Sequence, residues 1–144
     1  MALPGLLENG FLPPGLYVAD MSEIEERLGT STERRKELFK RLQNFVELAK
    51  QCGALRILVN GSFVAAKSEP GDIDVAIWLG TKYLELLQAT GANALLLEEM
   101  FDSRDPKEAF LVNDERGWNR WVDFFSRVRE YPNKRKGLVE VQLP

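Results

Sequence analysis

The run Asp72-Ile73-Asp74-Val75-Ala76-Ile77-Trp78-Leu79 constrains the fold more than any other stretch of the chain. Side chains on a strand alternate between its faces, so Asp72, Asp74, Ala76 and Trp78 share one face and Ile73, Val75, Ile77 and Leu79 the other. The second face is wholly aliphatic and calls for burial. The first opens with two carboxylates pointing the same way. Upstream, Leu55 to Val59 is apolar except for Arg56, short enough for a buried strand, and ends at Asn60-Gly61-Ser62, residues suited to a tight turn. Strand, glycine turn, short loop, strand is the pattern expected over residues 55–80.

Asp is depleted in strands, and like charges this close repel, so the pair at 72 and 74 asks for a reason. A divalent cation supplies one: Mg²⁺ prefers hard oxygen ligands and is commonly held by one or two carboxylates together with substrate phosphates. Asp72 and Asp74 are therefore the candidate metal ligands, for Mg²⁺ or Mn²⁺. Gly61 allows close backbone approach to a phosphate. The Ser62 hydroxyl and the N–H groups after it, at the start of a short helix expected over Phe63 to Lys67, are candidate phosphate donors. Lys67 and the run Lys134-Arg135-Lys136 are cations able to meet phosphate, or to serve as ordinary solvated charge.

Composition narrows the chemistry further. The chain has 144 residues, no His and one Cys, Cys52. That removes Ser-His-Asp triads, Cys-His dyads, zinc sites built from His or several Cys, and any intramolecular disulfide. Catalysis is left to carboxylates, Ser, Lys, Arg, Tyr or a bound metal. The net charge of −3 argues against avid sequence-independent nucleic-acid binding, although a local basic patch suffices for a triphosphate or an RNA end. No stretch approaches the roughly twenty apolar residues that span a bilayer, and the start lacks a signal-peptide pattern, so a cytoplasmic protein is expected.

The length fits a single domain over residues 1–144, with 1–19 as an irregular arm containing an extended piece at Leu16 to Ala19. Phe11, Leu12 and Tyr17 in this arm cover the domain's own core or a dimer contact. Ser22-Glu23-Ile24-Glu25 and Thr30-Ser31-Thr32-Glu33 read as capping boxes for a short helix to Leu28 and a long one ending near Cys52. The basic first half of the long helix, including Arg34 and Arg35, is read as a solvated face in preference to a substrate contact. Further helices are expected from Thr81 through Leu87 and from about Asn93 to Phe101, both packing the sheet's other side or edge, and from Asn113-Asp114 onward. The last carries Trp118, Trp121, Val122, Phe125 and Val128 on one face, read as core before base-stacking platform. Strands are expected at Glu108 to Val112 and Leu138 to Leu143, with Tyr131 to Gly137 a basic loop. The fold class is α/β (α+β): a small mixed sheet of about four strands with helices packed on it.

Gly61-Ser62, nine residues, then Asp72-Ile73-Asp74-Val75 resembles the signature of the polymerase-beta-type nucleotidyltransferase superfamily, especially its minimal single-domain prokaryotic members. Phe11-Leu12-Pro13-Pro14-Gly15 and Lys136-Gly137-Leu138-Val139 extend the likeness to a group of nucleotidyltransferase-like proteins of unknown function. Ala66 stands where the superfamily's minimal motif has a further Gly, and Gly71 where it often has Ser. The resemblance implies Mg²⁺-dependent transfer of a nucleotidyl group from an NTP such as ATP to a hydroxyl on protein, RNA or a small molecule. It also implies a third carboxylate on a neighbouring strand, for which Glu108 is the first choice, Glu140 the second and Asp123 a weaker third. The alternative is a non-catalytic nucleotidyltransferase-like antitoxin or binding partner in a toxin–antitoxin or phage-defence pair. A toxin-like partner protein, an RNA acceptor and a homodimer all stay open.

Overall fold

The structure, a computed structural model, describes residues 3–143; residues 1, 2 and 144 of the expected single domain lie outside it. Five strands form a mixed sheet in the order β1-β7-β2-β3-β4: β1 Leu16–Ala19, β2 Arg56–Asn60, β3 Asp74–Trp78, β4 Ala109–Val112 and β7 Leu138–Val141. β2 runs antiparallel to both β3 and β7, while β1 joins β7 and β4 joins β3 in parallel. The α+β class holds. The fifth strand is the extended piece at Leu16 to Ala19, which the parallel pairing to β7 makes a sheet edge.

The alternation read from β3 decides the two faces. Ile73, Val75, Ile77 and Leu79 join Ile57 and Val59 of β2 in the larger core, under α1 Met21–Leu28, α2 Glu33–Gln51, α3 Thr81–Gln88 and α4 Ala92–Asp102. Leu38, Leu42, Phe45, Val46 and Ala49 form the buried stripe of α2, at the expected helical spacing. Ala76 and Trp78, with Leu58 and Leu138, face the other way, onto Trp118 and Phe125 of α5 Glu115–Ser126. α3 and α4 were expected on the sheet's other side or edge. They instead share a core with α1 and α2, because Tyr83, Leu97 and Phe101 meet the aliphatic face of the sheet.

Two local readings change. α5 stops at Ser126, and Arg127–Val128 leaves the helix as β5, which pairs antiparallel with β6 Tyr131–Arg135 where a basic loop was expected. The short helix after Ser62 is a single 3₁₀ turn, Ser62–Val64. The arm packs on its own domain: Leu3 and Leu12 are buried, and the Gly137 N–H donates to the Leu12 carbonyl.

Candidate functional site: an oxygen-lined cleft between two strand ends

Gly61, at φ +96°, turns the chain out of β2 toward the start of β3. A Cβ there would lie 2.9 Å from the Asp72 carbonyl oxygen, so the close approach this glycine permits is to its own neighbouring strand. Ser62 makes the same connection with its side chain. Its N–H and Oγ donate to Asp72 Oδ1 at 2.8 and 2.7 Å, and its Oγ accepts from the N–H groups of Gly71 and Asp72. Ser62 thereby fixes the Asp72 rotamer. Among the described residues, the second oxygen of Asp72 carries no hydrogen bond.

The loop between Ser62 and Asp72 is clamped from outside by α2. Arg35, buried, donates to the carbonyls of Leu28, Phe63, Ala65 and Lys67. Arg34 reaches the carbonyls of Pro70 and Gly71, and Thr32 that of Ser68. Sequence reasoning gave these arginines to a solvated helix face. They are the frame of the Ser62–Asp72 loop, a role that partners far along the chain decide and helical spacing does not reveal.

Asp72 and Asp74 line one cleft of about 1100 Å³ with Asn60, Gly61, Ser62, Lys67 and Lys136. Burial would push the Asp72 carboxyl up, but the Ser62 hydrogen bonds, Lys136 and Lys67 together hold it below its ordinary value. Asp74 goes the other way: burial first, then the neighbouring Asp72 and Glu108 charges, raise it to about 6, with Lys136 opposing. Lys136 is itself lowered by burial against the pull of the two carboxylates. Adjacent carboxyls pushed in opposite directions are a pattern that functional sites share.

Asn60 is the residue that sequence reasoning passed over. It lies directly opposite Asp74 in the antiparallel β2–β3 register, is 6% exposed, and its Oδ1 is buried without a hydrogen-bond partner among the described residues. A buried carboxamide oxygen without a donor costs on the order of 1–3 kcal/mol, a cost that functional sites carry. Its signal was present in the turn Asn60-Gly61-Ser62 but was spent on turn chemistry.

The third-carboxylate candidates separate. Glu108 immediately precedes β4, where its carbonyl accepts from the Val75 N–H, and its charge acts on Asp74. Its carboxylate, however, is ion-paired to Arg41 of α2 at 2.8 Å and lines a smaller recess with Met100 and Ser103. Glu140 has both oxygens taken by Arg56, at 2.7 and 2.6 Å, under a guanidinium 4.3 Å from the Trp118 ring centre. Asp123 pairs with Arg127 and Arg135 on the exposed side of α5. Among the described residues, no three His, Cys, Asp or Glu side chains gather into a group able to hold a metal ion. The donors that do converge are Asp72, Asp74 and the Asn60 carboxamide, all oxygen-bearing, a set that suits a hard divalent cation.

Fold and site together define a small mixed α/β domain whose polar cleft opens where β2 ends and β3 begins. The sequence pattern of a family of unknown function, DUF6932, matches residues 4–142, and the chain belongs to that family. No curated protein and no solved structure matches the chain. Among the described residues, no helix is long and apolar enough to cross a membrane.

Proposed function

We propose that this domain binds a nucleoside triphosphate with Mg²⁺ or Mn²⁺ and transfers its nucleotidyl group to a hydroxyl on a protein, an RNA or a small molecule. The observation that carries the reading is the Ser62–Asp72 lock. It presents one fixed carboxylate oxygen beside Asp74 in a cleft whose rim holds Lys67 and Lys136. The oxygens of Asp72 and Asp74, with Asn60 behind them, would hold the cation. Bound there, it would offset the charge of the triphosphate and of the departing pyrophosphate. Lys136 and Lys67 would meet the phosphate oxygens, while the Arg35-clamped loop keeps the cleft wall rigid. Attack of the acceptor oxygen on the α-phosphorus forms the new P–O bond and releases pyrophosphate, the hydroxyl proton passing to water.

A second reading, a non-catalytic binding partner of the antitoxin type, is favoured by the pairing of Glu108 with Arg41, which takes the first-choice third carboxylate away from Asp72 and Asp74. Incubation with each α-³²P-labelled NTP, Mg²⁺ or Mn²⁺, and total RNA or the proteins encoded beside it separates the two. Label transfer that is lost in Asp74→Asn supports the enzyme. Nucleotide binding without transfer to any acceptor supports the partner.

A further inference from the structure

The cleft that holds Asp72 and Asp74 does not end at the charged groups. Its lining also includes the rings of Phe110 of β4 and of Phe124 and Phe125 of α5. Phe110 packs 4.6 Å from Trp121, Trp121 lies 5.8 Å from Phe124 in an edge contact, and Phe124 lies 6.1 Å from Phe125, centre to centre. Phe125 is buried, as a core aromatic should be, but Phe124 is 58% exposed. The exposed Phe124 ring, set against Trp121 and Phe125, offers an aromatic surface to the cleft.

The position of Phe110 relative to the carboxylates follows from sheet register. Phe110 pairs with Ala76 across the parallel β3–β4 ladder, and Ala76 is two residues beyond Asp74 on the same face. Strand rise and spacing then put the Cα atoms of Phe110 and Asp74 about 8 Å apart. The charge around the cleft has the sign a phosphorylated ligand needs: Lys67, Arg127, Arg129, Arg135 and Lys136 against Asp72, Asp74 and Glu130.

We propose that the Phe110–Phe124–Phe125 wall is the nucleobase end of the cleft, with the base of the bound nucleotide stacked on the exposed ring of Phe124. The inference rests on the nucleotide reading above and adds to it where the base goes and how it is selected. Every base has a π-face, so stacking on an aromatic ring tolerates any of them. The site therefore discriminates nucleotides from bare phosphates more strongly than one base from another.

The test is calorimetric titration of wild type, Phe124→Ala and Phe124→Trp with ATP, CTP and inorganic tripolyphosphate, each with Mg²⁺. Because Phe124 is exposed, the variants are expected to fold, which circular dichroism melting checks. Phe124→Ala should weaken ATP and CTP about tenfold or more, leave tripolyphosphate within twofold, and be rescued by Phe124→Trp. If Phe124→Ala leaves ATP and CTP unchanged while tripolyphosphate still binds through Asp72 and Asp74, the base site is wrong and the phosphate site stands. Equal weakening of ATP and tripolyphosphate also overturns the base site. If neither ligand binds wild type, both readings fall together. A dimer seen by ultracentrifugation and dissociated by Phe124→Ala would assign the wall to a second copy of the chain instead.

Discussion

Asn60 and Asp74 face each other across the β2–β3 pair, one with a buried oxygen that no donor among the described residues reaches and the other with a carboxyl that burial pushes up to about 6. A cation held as proposed would meet both. Asn60→Ala should therefore stabilise the ligand-free protein or leave it unchanged, since the unsatisfied oxygen goes with the side chain. The same variant should weaken Mn²⁺ binding several-fold. Thermal melting and Mn²⁺ titration followed by electron paramagnetic resonance read the two effects separately. A destabilised variant with unaltered Mn²⁺ affinity would make Asn60 a packing residue.

The raised carboxyl of Asp74 has a stability consequence of definite sign. In the unfolded chain Asp ionises near its ordinary value of 3.8, whereas in the fold it keeps its proton to about 6. The folded state thus binds more protons between these values, and stability falls as pH rises through that window. The loss amounts to on the order of 2–3 kcal/mol and is complete above about pH 6. Asp74→Asn should remove it, so that the variant gains on wild type between pH 4 and 7 in urea unfolding without metal. Parallel pH profiles would contradict the raised value.

Ser62→Ala removes the hydroxyl that donates to Asp72 and accepts from two backbone N–H groups. Hydrogen bonds to a charged group contribute more than neutral ones, so a stability loss of about 1–3 kcal/mol at pH 7 is expected, together with weaker cation binding. The loss should shrink as Asp72 is protonated at low pH. Chemical unfolding at pH 7 and pH 3 measures this. An equal loss at both would mean that Ser62 acts on the loop backbone alone.

Arg35 is a buried cation satisfied by main-chain carbonyls, with Leu28 and Phe63 receiving its deepest donations. Arg35→Met would leave those carbonyls short of donors and free the 63–71 loop. A destabilisation of about 3 kcal/mol or more follows, accompanied by faster amide exchange at residues 63–71 than in the sheet. Uniformly faster exchange throughout the domain would show that Arg35 supports the core and not the loop in particular.

The β2-turn-β3 unit was legible because period-two alternation and a turn between two apolar runs are local signals, and Ile73 to Leu79 carries both. α1 to α5 were legible through equally local helical spacing, but the caps differ from the boxes read at Ser22 and Thr30: Asp20 and Thr32 accept the backbone N–H at those helix starts, Asp114 does so for α5, and α3 and α4 begin at Gly80 and Gly91 without a side-chain cap. What sequence could not place depends on partners distant along the chain. Arg35 and the 63–67 carbonyls are about thirty positions apart, Arg41 and Glu108 sixty-seven, Arg56 and Glu140 eighty-four. The basic run after Tyr131 was read as a loop because Lys and Arg carry no strand signal; pairing with β5 makes it a ribbon. Gly61 and Ser62 were read for phosphate, while the structure has both engaged with Asp72.

In the function proposed, Asp72 and Asp74 hold a nucleoside triphosphate through a divalent cation. Calorimetric titration of ATP into wild type and into the Asp72→Asn, Asp74→Asn double variant, in Mg²⁺ and again in EDTA, tests it most directly. Binding by wild type in Mg²⁺ that is lost in EDTA and lost in the double variant, with both proteins folded, is the expected result. The same ATP affinity in all four titrations would contradict it.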